Sequence, residues 1–308
     1  MNGLTGKRTG VGAIFVLGVM PRSGTNYLYD LLALHPDCAP ARAPIWEDFF
    51  LQHADLLMAY TAAVRRRWDP DWGSLSDDLP DRLHEALGDG LVSFLCDSRG
   101  GRLLTKTPSV RNVDHFFTLF PRARLLVLLR DGRSVVQSCM STFGLDFDTA
   151  ARRWARAADE VRRFDERHRD RGLAYRLVRY EELLDDLEKS LAGILDFLDL
   201  DRHAFDFEAA ARLPVRGSSV HRGAGRTAVH WKPVERDASF DPRARWRAWP
   251  PALHQRFDWI AGGQLRHFGY EQSPPATVDA RRAAWQHVLD WRWQATRAAR
   301  LVGSRLRG

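Results

Sequence analysis

Hydrophobic positions along the chain fall into two kinds of run. Short, mainly apolar blocks at residues 13–18, 102–104, 125–129 and 174–178 have the length of strands, and Leu125–Leu129 is an unbroken apolar run between charged ends. Such a strand is apolar on both faces, as in a parallel sheet covered on both sides. Between these blocks, apolar residues recur every three or four positions, predicting helices at residues 25–34, 110–120, 149–169 and 188–198. Residues 48–95 read as mainly helical, with "HADLLMAYTAAVRRRW" followed by the turn-rich "DPDWGSLSDDLP". The alternation predicts an α/β fold, a central parallel sheet covered by helices in a single domain with helical insertions.

The pattern changes after "SPPAT". Residues 276–306 predict one long helix whose apolar positions Ala284, Val288, Trp291, Ala295, Ala298 and Val302 form a stripe. Trp285 and Trp293 add aromatic weight, and Arg281, Arg282, Arg292, Arg297 and Arg300 make the remainder basic. The chain therefore divides into a flexible N-terminus (1–12), a main domain (13–271) and this basic amphipathic helix (276–306). Apolar stripes usually mark packing, so the helix is expected to dock on its own domain or on a second subunit; peripheral contact with an anionic membrane is the alternative.

Composition narrows the classes. With 308 residues, 44% of them hydrophobic, the chain can bury one sizeable α/β core. A formal charge of +7 favours an anionic partner, but the basic residues are spread along the chain and choose no class of anion. The three cysteines, Cys38, Cys96 and Cys139, form neither a CxxC pair nor a zinc-like array, so no metal and no disulfide framework are expected, and a reducing, cytoplasmic setting is the default. The run "VGAIFVLGVM" is too short to span a bilayer and lacks a cleavage site, so it reads as a strand and no signal peptide.

That strand leads into the chemistry. In "VLGVMPRSGTNYLYDLLALHP" it breaks at Met20–Thr25 and resumes as a helix. A strand entering a helix through a glycine loop aims the helix's first N–H groups at one point, where the dipole also favours an anion. Gly24 permits close approach, Thr25 and Asn26 can donate from their side chains, and Arg22 supplies a planar cation. A P-loop kinase or nucleotide triphosphatase is the first comparison. No lysine follows Gly24, however, and the buried strand "LLVLL" ends in Arg130 where an acidic magnesium ligand would stand. An anionic nucleotide held without magnesium fits better.

These residues carry a family resemblance. "PRSGTNYL" resembles the 5′-phosphosulfate loop of sulfotransferases that use 3′-phosphoadenosine 5′-phosphosulfate (PAPS). "RDGRSVVQS" resembles their 3′-phosphate motif, with Arg130 ending a strand and Ser138 eight residues on; Gly132 stands where proline is usual. "VRYEELLDDLEKSLAGILDFLDL" resembles the segment that follows, and "HWKPVE", "RWRAW" and "LRHFGYE" resemble the C-terminal end of the domain. The resemblance implies a P-loop NTPase-like topology and sulfuryl transfer from PAPS to a hydroxyl or amine, without a metal. A non-catalytic PAPS- or membrane-binding relative is a further alternative.

The resemblance also implies roles. Arg22, Ser23, Gly24, Thr25 and Asn26 would hold the 5′ side of the donor, and Arg130 and Ser138 its 3′-phosphate. Tyr180 would pack near the nucleotide or hold the loop, and Lys232, in the basic stretch "RGSSVHRGAGRTAVHWKP", would close over it. Lys106 in "LLTKTPS" would supply a transition-state cation together with Arg22. Glu47 is the first choice of general base, with Asp48 and then His53 behind it, whereas His35 marks a helix end. The acceptor, a small molecule, carbohydrate, lipid or peptide, is not encoded in any readable motif, and no nucleic-acid partner is implied.

Overall fold

A computed structural model describes residues 12–68, 78–96, 100–213, 243, 245–270 and 279–305. The N-terminal segment expected to be flexible, apart from Gly12, and the basic stretch containing Lys232 lie outside the described residues. The chain forms two compact units, one of residues 1–130 and 156–241, the other of residues 131–155 and 242–308.

The first unit is built on a parallel sheet of five strands: β1 (Ile14–Gly18), β2 (Cys38–Pro40), β3 (Arg102–Thr107), β4 (Arg124–Leu129) and β5 (Tyr175–Arg179), in the order β2-β3-β1-β4-β5. Strand geometry alternates side chains between faces. Ile14 and Val16 of β1 join Leu126 and Leu128 of β4 in one core, which α1 (Thr25–Leu32) fills with Leu28 and Leu31, and α8 (Leu187–Phe197) with Leu191, Ile194 and Leu195. Phe15 points the other way, its ring centroid 5.2 Å from Phe116 of α4 (Phe116–Leu119) and 4.7 Å from Phe120. Both faces are covered, which is why these strands carry no polar alternation. The rest of this unit includes α2 (Ala54–Arg65), α3 (Leu79–Leu95), α7 (Tyr180–Asp185) and α9 (Phe207–Arg212).

The register pairs Leu17 with Thr107, Gly18 with Leu128, and Leu129 with Arg179. The carboxyl ends of β3, β1, β4 and β5 therefore open along one edge, the place where parallel α/β sheets hold ligands.

The second unit contains α5 (Gly132–Phe143), the first part of α6 (Phe147–His168), α10 (Pro251–His267) and α11 (Ala280–Arg305). Buried Trp154 lies 5.9 Å from Phe257, which lies 5.8 Å from Trp249. A Cβ at Gly132 would fall 2.5 Å from the Trp154 ring, so packing explains a glycine where the family motif usually has proline.

Several elements differ from the sequence expectation for physical reasons. β2 has no apolar run to announce it and exists by pairing with β3 at the sheet's border. β3 extends to Thr107, because pairing with β1 carries the polar Thr105 and Lys106 inside the sheet. The expected helix at 110–120 is a 3-10 turn at Val113–His115 followed by α4, entered through Asn112 at φ 64°. α11 forms as expected, but its docked face is polar. Gln286 is buried, and Asp290 binds Arg256 and the Trp259 indole of α10, while Trp285, Val288 and Trp291 stay exposed.

Candidate active site

The loop after β1 owes its shape to its own short side chain. Ser23 is fully buried; its Oγ donates to the Met20 carbonyl at 2.8 Å and accepts from the Met20 N–H at 3.2 Å. Ser23 N–H also bonds to the Met20 carbonyl, so Ser23 closes the turn from within and its neighbours face outward.

Gly24 then adopts φ 98°, ψ 15° as the N-cap of α1. No side chain caps this helix end. The first helical N–H bonds, from Tyr27 and Leu28, both reach the Gly24 carbonyl, leaving the Thr25 and Asn26 amides without intrahelical acceptors. Two uncapped amides at a dipole's positive end suit an anion. Arg22 holds φ 78°, a left-handed conformation costly for an arginine and typical of ligand-holding loops.

One aromatic ring fixes this loop against β5. Tyr180, 3% exposed, lies so close to Gly24 that a Cβ there would sit 2.4 Å from its ring. The Arg130 guanidinium stacks over the same ring at 4.5 Å, and its Nη1 donates to the Arg22 carbonyl at 2.8 Å. Arg130 and Tyr180 thus brace the loop from below. Ser138 belongs to the second unit, buried on α5, and its assignment rests on the motif alone.

A second group meets at the end of β3. Lys106 is 5% exposed; its Nζ lies 3.3 Å from Glu47 Oε1 and 5.7 Å from the Tyr29 ring centroid. Glu47 reaches it because the chain just after it is pinned to β3. Asp48 N–H donates to the Lys106 carbonyl (3.3 Å), Asp48 Oδ2 accepts from Thr105 Oγ1 (2.7 Å), and Phe49 N–H donates to Thr107 Oγ1 (3.1 Å). Asp48 Oδ1 also accepts from the Phe50 N–H at 3.0 Å. Burial pushes the Asp48 carboxyl above its usual range, against the lowering pull of these hydrogen bonds.

Of the three candidate bases, Glu47 is thus paired with Lys106, Asp48 is buried in the anchor beneath it, and His53 is exposed on a 3-10 turn. His35 is structural: its Nδ1 accepts from the Asp37 N–H, which directs Nε2–H to the Asp201 carbonyl at 3.0 Å. Thr105, Thr107 and Tyr29 were not singled out in the sequence, although the "TKT" flanking Lys106 was the available signal. Among the described residues no group of three or more His, Cys, Asp or Glu side chains could hold a metal ion. No described helix is long and apolar enough to cross a membrane.

A parallel sheet whose first loop offers bare amides, with arginine and lysine at neighbouring strand ends, accords with a sequence comparison: the sulfotransferase family model matches residues 13–204. The chain belongs to the sulfotransferase family. It is 25% identical over 248 residues to protein-tyrosine sulfotransferase A of Caenorhabditis elegans, covering 73% of this chain and 59% of that protein. Protein-tyrosine sulfotransferase 1 of Danio rerio is 25% identical over 199 residues, covering 61% and 53%. The chain therefore spans less than two thirds of the length of these curated relatives. Its fold is similar to that of the sulfotransferase domain of the Synechococcus PCC 7002 olefin synthase, with a TM-score of 0.50, 22% identity, and coverage of 85% of this chain and 95% of that one.

Proposed function

We propose that this sulfotransferase moves a sulfuryl group from PAPS to an acceptor hydroxyl or amine, with the β1–α1 loop and the ends of β3 and β4 as its working edge. The observation that carries the reading is the bare amide pair of Thr25 and Asn26 beside Gly24, held in place by Tyr180 and Arg130. An uncapped, cation-braced helix end fits a phosphosulfate. Arg22, Gly24, Thr25 and Asn26 would hold its 5′ side, and Arg130, with Ser138 from the motif, its 3′-phosphate. Lys232 is carried over from the motif only.

In this reaction the acceptor oxygen or nitrogen forms a bond to sulfur while the bond from sulfur to the bridging phosphate oxygen breaks, releasing 3′-phosphoadenosine 5′-phosphate (PAP). Lys106 and Arg22 neutralise charge that grows on the leaving side. Glu47 takes the acceptor proton; its pairing with Lys106 holds the carboxylate in place until the acceptor arrives. Asp48 positions Glu47 through β3 and touches no reactant.

The test is transfer of radiolabelled sulfate from PAPS, with and without magnesium, to a panel of tyrosine peptides, alkyl alcohols, phenols and sugars. Labelled product with stoichiometric PAP release, independent of magnesium, is expected. Magnesium-dependent phosphoryl transfer from ATP, or failure to bind PAP in calorimetry, overturns the reading.

A further inference from the structure

The long C-terminal helix poses a question that sulfuryl transfer does not answer: why its apolar side faces outward. Within the second unit, α11 is fastened by polar groups. Asp290 accepts from Arg256 Nη2 (2.8 Å) and Trp259 Nε1 (3.1 Å), and pairs with Arg152. Gln286 Oε1 accepts from Arg256 Nη1 at 2.9 Å, and Trp293 Nε1 donates to Thr149 Oγ1 at 3.3 Å. Burial alone would push the Asp290 carboxyl up, but hydrogen bonds from Trp259, Arg256 and Arg152 and the charge of Arg256 hold it below its usual range.

At roughly 100° per residue, Gln286, Asp290 and Trp293 share one face, and Ala284, Val288, Trp291, Ala295 and Ala298 lie about opposite. All five of the latter are exposed, with Trp291 at 69% and Val288 at 45%. Trp285, 56% exposed, extends the patch, and the exposed Arg281 and Arg292 border it. An outward apolar stripe of this kind marks an interaction surface.

Charge identifies the occupant. Asp290 is the only acid in α11, and it is turned inward, so the outer face carries arginines with no acid among them. Two copies of this face laid together would oppose arginine to arginine, whereas an anionic lipid surface complements both the tryptophans and the arginines. We infer that the outer face of α11 is a docking surface for an anionic membrane, with the helix lying in the plane of the headgroups. Its 26 residues would run for about 39 Å along that plane.

The full chain is mixed with sedimenting vesicles of phosphatidylcholine alone or with a third phosphatidylglycerol, at low and high salt. Binding is expected to the anionic vesicles only and to weaken with salt. Because the side chains are exposed, Trp285→Ala with Trp291→Ala, and separately Arg281→Glu with Arg292→Glu, should each lower the bound fraction tenfold or more at an unchanged melting temperature and unchanged PAP affinity. Failure to sediment, equal binding to neutral vesicles, or a dimer in light scattering that the tryptophan variant splits would each overturn the inference. None of these outcomes bears on sulfuryl transfer, which is read separately through PAP.

Discussion

The Lys106 ammonium and the Glu47 carboxylate meet at 3.3 Å with unequal exposure, the lysine side chain 6% accessible and the glutamate 24%. A cation sealed in the sheet edge is thus presented through an acid that solvent can reach. Glu47→Gln should lower turnover by ~10² while leaving PAP affinity within a few-fold, and Lys106→Ala should cost as much or more, in line with losses at comparable electrostatic sites. Single-turnover transfer measured beside calorimetric PAP affinity separates the two effects. Wild-type turnover in both variants would remove the pair from the mechanism.

Arg130 braces the loop through its stack on Tyr180 and its bond to the Arg22 carbonyl, and is proposed to hold the donor's 3′-phosphate as well. Arg130→Ala should weaken PAP binding by roughly 10- to 100-fold, the scale of one charge-assisted hydrogen bond at ~1.5–3 kcal/mol, and should narrow the preference for PAP over AMP. Lysine should restore little, since a point charge neither stacks nor forks. An unchanged ratio of PAP to AMP affinity in the alanine variant would sink the assignment.

Gly24→Ala meets two obstacles, the φ of 98° and a ring 2.4 Å from the new Cβ. A loss of about 1–3 kcal/mol of stability and of measurable PAP binding is expected. Tyr180→Ala relieves the clash but not the backbone strain, so Gly24→Ala should cost less in the Tyr180→Ala background than in the wild type. Strict additivity in denaturant unfolding would show that the ring does not confine the loop.

The buried Asp48 carboxyl gives a pH signature. Its folded pKa lies above the unfolded value of 3.8, so ionisation is opposed by the fold. The stability this group contributes is fully present below that value and declines as pH rises through the window between the unfolded and folded pKa values. Asp48→Asn removes that decline while keeping an oxygen for the Phe50 N–H. Unfolding curves from pH 3 to 7 should therefore diverge in the variant's favour as pH rises; parallel curves would contradict it.

Asp290 behaves oppositely, because its folded pKa lies below 3.8. Its contribution is present above the unfolded value and is lost as pH falls through the folded one. Asp290→Asn leaves Arg256, buried to 3% exposure, with Asp148 as its remaining carboxylate partner, and should cost about 1–3 kcal/mol at neutral pH, the scale of one hydrogen bond between charged groups. Protection of α11 amides in hydrogen exchange reports the loss directly, and wild-type protection in the variant would count against the anchor.

The strands of the sheet were legible because β1 and β4 bury both faces and so leave an unbroken apolar signature. The glycine loop was legible because its chemistry is local, a strand, a turn and a helix start in a dozen residues. β2 was not, since three residues at a border carry no periodicity of their own. Nor was the pinning of Glu47, which depends on Thr105 and Thr107 some sixty positions away, a relation that exists only after β3 has paired with β1. For α11 the period could be read but not the side turned toward its own unit, because that depends on an inward aspartate meeting Arg152 and Arg256, far away in sequence.

The anchoring of the 47–50 segment to β3 divides labour between neighbouring residues. Asp48 and the backbone hold position, while Trp46 and Phe49 are 70% and 40% exposed. Diversification can therefore act on the two aromatics while Glu47 and Asp48 between them stay in place. On the proposed reading, with Glu47 as the base, positions 46 and 49 are where a choice of acceptor could drift, position 49 within the residues that tolerate its left-handed backbone.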